Sequence, residues 1–334
     1  MPFISNDGPK LFAPGAIDLE TSAFNEKIEK ELSAIRPLYT HEPQVIRDAR
    51  DTGHSVFGPI IHLDDVEDRV ISGLDTDIGL RVYIPEQVAG VYLHIHGGGF
   101  VLNRASYYDE LLVNIGSACN VAVVSVDYRK APENPYPNGL NDCETAALWL
   151  VENCGSEFGT EKMLIGGESA GANLAVTTLL RMRDRHSFRG YCGAVLNYGA
   201  YDLTLTPSAR RWGERNLILT TKLIEWFHEL YAPAEKYSDP DLSPLYADLA
   251  ELPPALFTIG TLDPLIDDTM FMHMRWLAAG NRSQLAVYPG GIHMFNAFPI
   301  ELARKANAKI NEFINAQVLK TPDGKKNPRI LIGR

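Results

Sequence analysis

The sequence predicts an α/β protein: a mostly parallel, eight-stranded sheet flanked by helices, with a helical cap. Three observations point there. Apolar runs of strand length alternate with stretches of helical periodicity along most of the chain, the signature of βαβ units. Some runs, such as Val121-Ala122-Val123-Val124-Ser125-Val126, are apolar nearly throughout rather than at every second residue, as strands covered on both faces are. Finally, Met163-Leu164-Ile165 leads into Gly167-Glu168-Ser169-Ala170-Gly171, and then Ala172, Ala175, Val176, Leu179 and Leu180 recur at helical spacing. That pattern reads as a short buried strand, a turn too tight for bulky flanking side chains, and a helix packed on the sheet.

Taken in order, residues 1–16 are rich in Pro and Gly and read as an irregular arm. From Asp18 a helix is expected, with Phe24, Ile28, Leu32 and Ile35 on one face and Pro37 ending it. Residues 38–60 read as loop, with Pro43, Gly53, Gly58 and Pro59 as breakers. Residues 1–60 thus carry an apolar helical face and no strand, so they must cover something; they are assigned as the N-terminal half of a cap. Val66, Arg69-Val70-Ile71 and Leu80-Arg81-Val82-Tyr83-Ile84 form a hairpin turning near Asp75-Thr76-Asp77. Further strands are expected at 90–96, 121–126, 163–167, 194–196, 255–259 and 284–288, with helices at 105–118, 140–154, 169–185, 266–279 and 300–316. Residues 61–200 and 251–319 make the core. Nearly sixty residues separate strands 194–197 and 255–259. In that stretch Leu223, Trp226, Phe227 and Leu230 share a helical face, ahead of a Pro-rich run from Pro233 to Pro254. Insertions of this length usually serve function, and residues 201–250 are assigned to the cap. Residues 320–334 form a basic tail.

The chain has 334 residues, 45% of them hydrophobic and 22% charged, with a net charge of -11. That is globular composition with ample chain for a buried core. The acidic balance argues against nucleic acid, an anionic membrane or a strongly acidic substrate as the main partner. No apolar run reaches bilayer length, and residues 1–9 lack the basic region and apolar core of a secretion signal. Cys119, Cys143, Cys154 and Cys192 are scattered without metal-type spacing and read as free thiols. The expectation is a cytoplasmic protein with no metal and no cofactor. Asn281-Arg282-Ser283 fits a glycosylation acceptor, which without a secretion signal reads as chance.

The chemistry starts at Ser169, lifted by its turn over a helix N-terminus. A serine hydroxyl is a weak nucleophile and needs a base in hydrogen-bond reach, and the base needs a partner that fixes its tautomer. In an α/β sheet these belong on loops after later strands, in the order Ser, acid, His. Asp263 follows strand 255–259 and His293 follows strand 284–288 in a glycine-flanked loop. Asp263 also fits a plain helix N-cap before Pro264, and Asp267 and Asp268 fit first-turn dipole partners. His96-Gly97-Gly98-Gly99-Phe100 follows the third strand. Its glycines let backbone N–H groups turn inward. Gly97, Gly98 and Ala170 are expected to donate to an oxyanion, with His96 and Gly99 holding the loop. Neither phosphate-loop pattern, GxGxxG nor GxxxxGK[ST], is present. Asp127-Tyr128-Arg129-Lys130-Ala131-Pro132-Glu133 reads as a buried ion-pair and turn network behind that loop, and Glu168 as an orienting group. Tyr107, Tyr108, Tyr198, Trp212 and Phe295 are candidates for the substrate wall, with ordinary core packing the alternative for each.

These motifs together resemble the bacterial hormone-sensitive-lipase-like (family IV) carboxylesterases of the α/β-hydrolase fold. The resemblance rests on His96-Gly97-Gly98-Gly99, Asp127-Tyr128-Arg129 with Ala131-Pro132-Glu133, Gly167-Glu168-Ser169-Ala170-Gly171, Asp263-Pro264-Leu265 and His293, and covers residues 60–316. It implies a metal-free esterase of short- to medium-chain carboxylic esters, with a cap and, in many members, a homodimer formed through the last strand. Asn197-Tyr198-Gly199-Ala200 departs from the family's usual Tyr-Pro, and Lys130 from a common Leu. The same machinery serves an amidase, lactonase or deacetylase. From another class stands a non-catalytic small-molecule receptor, which would not need to keep the base.

Overall fold

The computed structural model describes residues 8–73 and 75–319. The basic tail 320–334 and the first seven residues of the arm lie outside the described residues, as does Leu74 in the hairpin. Eight strands form one sheet: β1 Val66–Ser72, β2 Asp77–Tyr83, β3 Gly90–Ile95, β4 Val121–Asp127, β5 Met163–Glu168, β6 Tyr191–Asn197, β7 Ala255–Leu262 and β8 Ser283–Ile292. Their order is β1-β2-β4-β3-β5-β6-β7-β8. The opening hairpin is antiparallel, β2 also runs antiparallel to β4, and all later pairings are parallel.

The continuous apolar runs are explained by the two faces. On β4, Val121 and Val123 point into one core with Leu164, Val195, Leu256 and Phe313. Ala122, Val124 and Val126 point into the other with Leu93, Ile165, Leu140 and Val176. Side chains alternate across a strand, so a strand buried on both sides has no polar register. Each such Val or Leu contributes about 1.5–3 kcal/mol relative to leaving it exposed.

Helices cover both faces. α4 Asp109–Cys119 and α10 Glu301–Val318 pack together on one side, and α5 Asn138–Phe158 and α6 Ala170–His186 pack together on the other, where α9 Ile266–Ala278 backs β7 and β8. The remaining helices lie in the two segments outside this plan. These are α1 Gly8–Leu11, α2 Leu19–Ser33 and α3 Pro43–Asp51 at the N-terminus, and α7 Pro207–Arg211 and α8 Thr221–Tyr231 in the insertion.

Two expectations about the N-terminal segment need correction. α2 ends at Ser33, capped at its start by Asp18, whose carboxylate accepts from Thr21 N–H at 2.8 Å. Its buried face is Thr21, Asn25, Ile28 and Leu32, and Ile35 stands 52% exposed beyond the helix. Residues 38–60 are not simply loop, because Pro43 opens α3. Proline at a first helical position removes an N–H that has no partner there anyway, so it starts this helix rather than breaking one.

The N-terminal segment and the insertion meet. Glu29 on α2 pairs with Arg215 at 3.1 Å, and α8 packs on the turn Leu38–Thr40. Asn173 on α6 ties the insertion down by donating to Ala200 O at 2.7 Å and Leu242 O at 2.8 Å. Among the described residues, no helix is long and apolar enough to cross a membrane.

Candidate active site

The groups singled out by the sequence converge at the C-terminal edge of the sheet. Ser169 follows β5, the glycine loop follows β3, Asp263 follows β7 and His293 follows β8. β8 runs on to Ile292, further than the pattern indicates, and delivers His293 directly.

Ser169 sits between β5 and α6 with φ 56° and ψ -119°. A side chain in that region is strained and persists only where neighbours over-determine it. The neighbours are backbone. A Cβ at Gly167 would lie 2.0 Å from Ile95 O, and one at Gly171 would lie 1.9 Å from the same oxygen. The turn is wedged against β3, which is why both flanking positions are glycine. Ser169 N–H donates to Asn197 O at 2.9 Å, fixing the bend from the β6 side.

His293 Nε2 lies 3.0 Å from Ser169 Oγ, and His293 Nδ1 lies 2.8 Å from Asp263 Oδ2. All three are buried, at 9%, 2% and 1% exposure for Ser169, His293 and Asp263. The second Asp263 oxygen accepts from Leu265 N–H at 2.9 Å. Asp263 therefore orients the imidazole and braces the turn before α9; it is not the helix N-cap, because α9 starts at Ile266 with Leu265 in the cap position and no side-chain cap bond. Asp268 is no mere dipole partner: buried on α9, it accepts from Tyr201 N–H at 2.8 Å and Asp202 N–H at 3.0 Å, and from the Thr206 hydroxyl. Asp267 accepts from Ser208 N–H at 2.8 Å.

Gly97 lies against the serine turn; a Cβ there would be 2.8 Å from Glu168 O and 3.4 Å from Ser169 Cβ. Gly98 (φ 124°) and Gly99 (φ 61°) complete the loop, with Gly99 facing the Phe227 ring of α8. Ala170 is the first residue of α6. His96 is fully buried, stacks on Tyr128 with ring centroids 4.3 Å apart, and hydrogen-bonds through Nδ1 to Gly97 O at 2.8 Å. Burial first, then the Lys130 charge, push its pKa down to about 3. Tyr128 donates to His96 O at 3.0 Å. These contacts brace the loop and leave His96 neutral.

The network behind the loop is only partly buried. Arg129 pairs with buried Asp142 at 2.7 Å, but Asp127 is 40% exposed and pairs with Lys130 at 3.2 Å. Arg47, Asn103 and His94, which the sequence pattern does not single out, complete the supports. Arg47 on α3 donates to Val101 O at 2.9 Å and Ala131 O at 2.7 Å and pairs with Glu133 at 2.9 Å. Asn103 donates to Gly97 O at 3.3 Å and Tyr108 Oη at 3.2 Å. Buried Glu168 meets His94 Nε2 at 2.9 Å, and His94 Nδ1 meets Ser125 Oγ at 2.7 Å. His94 carried a faint signal, a polar side chain inside an apolar strand.

The aromatic candidates divide. Tyr107, Tyr108 and Tyr198 line a cavity of about 490 Å³ beside the triad. Phe295 is fully buried core, packed on Tyr288 and Tyr198. Trp212 donates to Arg215 O at 2.7 Å within the insertion. Neither Phe295 nor Trp212 lines that cavity.

A buried serine, imidazole and carboxylate in hydrogen-bonded series, on strand-end loops of this sheet, define a serine hydrolase of the α/β class. Residues 92–297 match the family described as alpha/beta hydrolase fold, and the chain belongs to it. It is 34% identical over 270 residues to a carboxylic ester hydrolase of Mycobacterium tuberculosis, covering 78% of this chain and 71% of that one. An ethyl acetate hydrolase of Pseudomonas putida is 29% identical, covering 84% and 92% of the two chains. Among solved structures, a hyperthermophilic esterase from the archaeon Pyrobaculum calidifontis superposes with a TM-score of 0.81 at 29% identity, covering 88% and 97%. The protein is a carboxylic ester hydrolase of the α/β-hydrolase fold.

Proposed function

We propose that this chain hydrolyses short-chain carboxylic esters through an acyl-enzyme on Ser169. The observation that carries the reading is the unbroken series Ser169 Oγ, His293, Asp263 at 3.0 and 2.8 Å. The acetate-ester relatives support the small acyl group.

His293 Nε2 takes the Ser169 proton as Oγ bonds to the ester carbonyl carbon. Asp263 holds Nδ1–H and stabilises the imidazolium. The carbonyl oxygen gains negative charge, and the N–H groups of Gly97, Gly98 and Ala170 receive it, aided by the positive end of α6. The intermediate collapses, the C–O bond to the alcohol breaks, and His293 returns the proton to the leaving oxygen. Water then attacks the acyl-enzyme by the same route and frees Ser169. Residues 1–60 and 201–250 form the cap over this edge. Cys119, Cys143 and Cys154 are buried thiols outside any disulfide, which suits a reducing compartment, and the cytoplasm is part of this reading. So is a homodimer through β8, which stands at the edge of the sheet.

The test is hydrolysis of a chromogenic acetate ester, with a burst of released alcohol and labelling by a serine-directed phosphonate. Ser169→Ala is expected to lose both the burst and the label, and to retain less than about one part in ~10⁴ of kcat. Near-normal turnover by that folded variant would reject the assignment.

A further inference from the structure

The cavity of about 490 Å³ lies behind the triad without touching it. Glu168, Met294 and Tyr198 line it, but Ser169, Asp263 and His293 do not. Glu168 precedes the serine and Met294 follows the histidine, so the cavity is one residue removed from the chemistry. Its size falls in the range of small-molecule sites, ~300–1,000 Å³. Its rim is open to solvent and mixed in polarity, with Pro59, Ile61, Ala297 and Pro299 exposed beside Glu110 and Asn114.

Tyr198 stands on both sides of that separation. Its ring lines the cavity and also meets the His293 ring edge-on, with centroids 5.0 Å apart. It is 1% exposed and doubly anchored. Its hydroxyl donates to Asn296 Oδ1 at 2.7 Å, and its N–H donates to Thr258 O at 2.7 Å. Its φ is 38°, a conformation costly for a bulky side chain. Ordinary core filling does not require that cost.

We infer that Tyr198 is a partition that sets substrate size: its ring fences the triad from a preformed pocket, confining this enzyme to esters with a small group on that side. The inference rests on the reading of Ser169 and His293 as the reacting pair. It deepens that reading by naming the residue that selects small esters and the space that a larger arm would occupy. Leu111 on α4 also lines the cavity. A larger side chain there fills the space without touching the triad.

The experiment compares kcat/KM over two graded series, one lengthening the acyl arm from acetyl to octanoyl and one lengthening the alcohol arm. Tyr198→Ala is expected to raise the long-to-short ratio at least tenfold in one series, which identifies the arm. Tyr198→Phe keeps the ring and is expected to keep the wild-type ratio. Adding Leu111→Trp to Tyr198→Ala is expected to restore the preference for short esters. Tyr198→Leu serves the same purpose if the alanine variant does not fold. Ratios within threefold of wild type in both series, for a truncated variant that still hydrolyses acetate esters, would overturn the partition and leave the triad standing. Acetate hydrolysis surviving Ser169→Ala would instead remove the reading beneath it.

Discussion

Single residues at this site are set by contacts too close to relax. Gly98 has φ 124°, and a Cβ there would sit 2.4 Å from Leu102 O. Gly98→Ala therefore has to move the loop whose Gly97 and Gly98 N–H groups are proposed to receive the oxyanion. Loss of one oxyanion donor costs about 2.7–4 kcal/mol of transition-state stabilisation, so kcat with an acetate ester is expected to fall about 10²–10³-fold. KM should change far less, because the donors act on charge that develops after binding. A fall carried by KM alone would place the loop in substrate binding rather than in charge stabilisation. Asp263→Asn tests the other end of the series. The amide still accepts from Leu265 N–H in the turn before α9, a bond of 2.9 Å in the parent. It favours the wrong imidazole tautomer, so kcat is expected to drop about 10⁴-fold with stability little changed. Unfolding of that variant would mean that the turn before α9, not the tautomer, is what Asp263 mainly supplies.

Elements differ in how far the sequence exposes them. The strands and the order Ser169, Asp263, His293 are legible because each group directly follows an apolar run, and strand ends fix where loops emerge. α3 is not legible in the same way, since Pro43 is a breaker in most contexts and a helix starter only at the first turn. The fate of the aromatics is hidden as well. Tyr198 directly follows β6 and Phe295 closely follows β8, and both are buried. Their local patterns are alike, so periodicity cannot separate the core ring from the cavity wall. Ties between distant elements leave no local trace. Arg47 on α3, 10% exposed at its side chain, reaches Val101 O beyond the oxyanion loop and Ala131 O in the turn behind it. Arg47→Ala leaves those buried carbonyls unpaired, at about 1–3 kcal/mol, and frees α3 from the core. A lower urea midpoint together with reduced kcat is expected. An unchanged midpoint would show that water replaces the guanidinium without cost.

At the scale of the whole molecule, buried ionisable groups couple the fold to pH. His96 and His228 are buried, and burial pushes their pKa values down to about 3 and about 4. His228 lies on α8 inside the insertion, with Nδ1 3.1 Å from Leu203 O at its start. Both imidazoles are neutral in the fold, and both protonate near pH ~6.5 once the chain unfolds. Below that pH the unfolded chain binds the extra protons. The stability they provide is therefore complete at neutral pH and is lost as pH falls toward 4 and then 3. For His228 alone the window from ~6.5 to about 4 corresponds to about 3 kcal/mol. Asp268 acts in the opposite sense. Burial pushes its carboxyl up to about 7, so the fold retains a proton there that the unfolded chain sheds, and acidification relieves that cost. Its three donors favour the charged form and hold the rise to that value. Two imidazoles against one carboxyl give a net loss. The urea midpoint is expected to fall steadily between pH 7 and pH 4 at constant slope. His228→Gln removes one of the two titrating groups and is expected to show a shallower fall across the same range. Equal falls in the variant and the parent would mean that His228 does not carry the acid sensitivity.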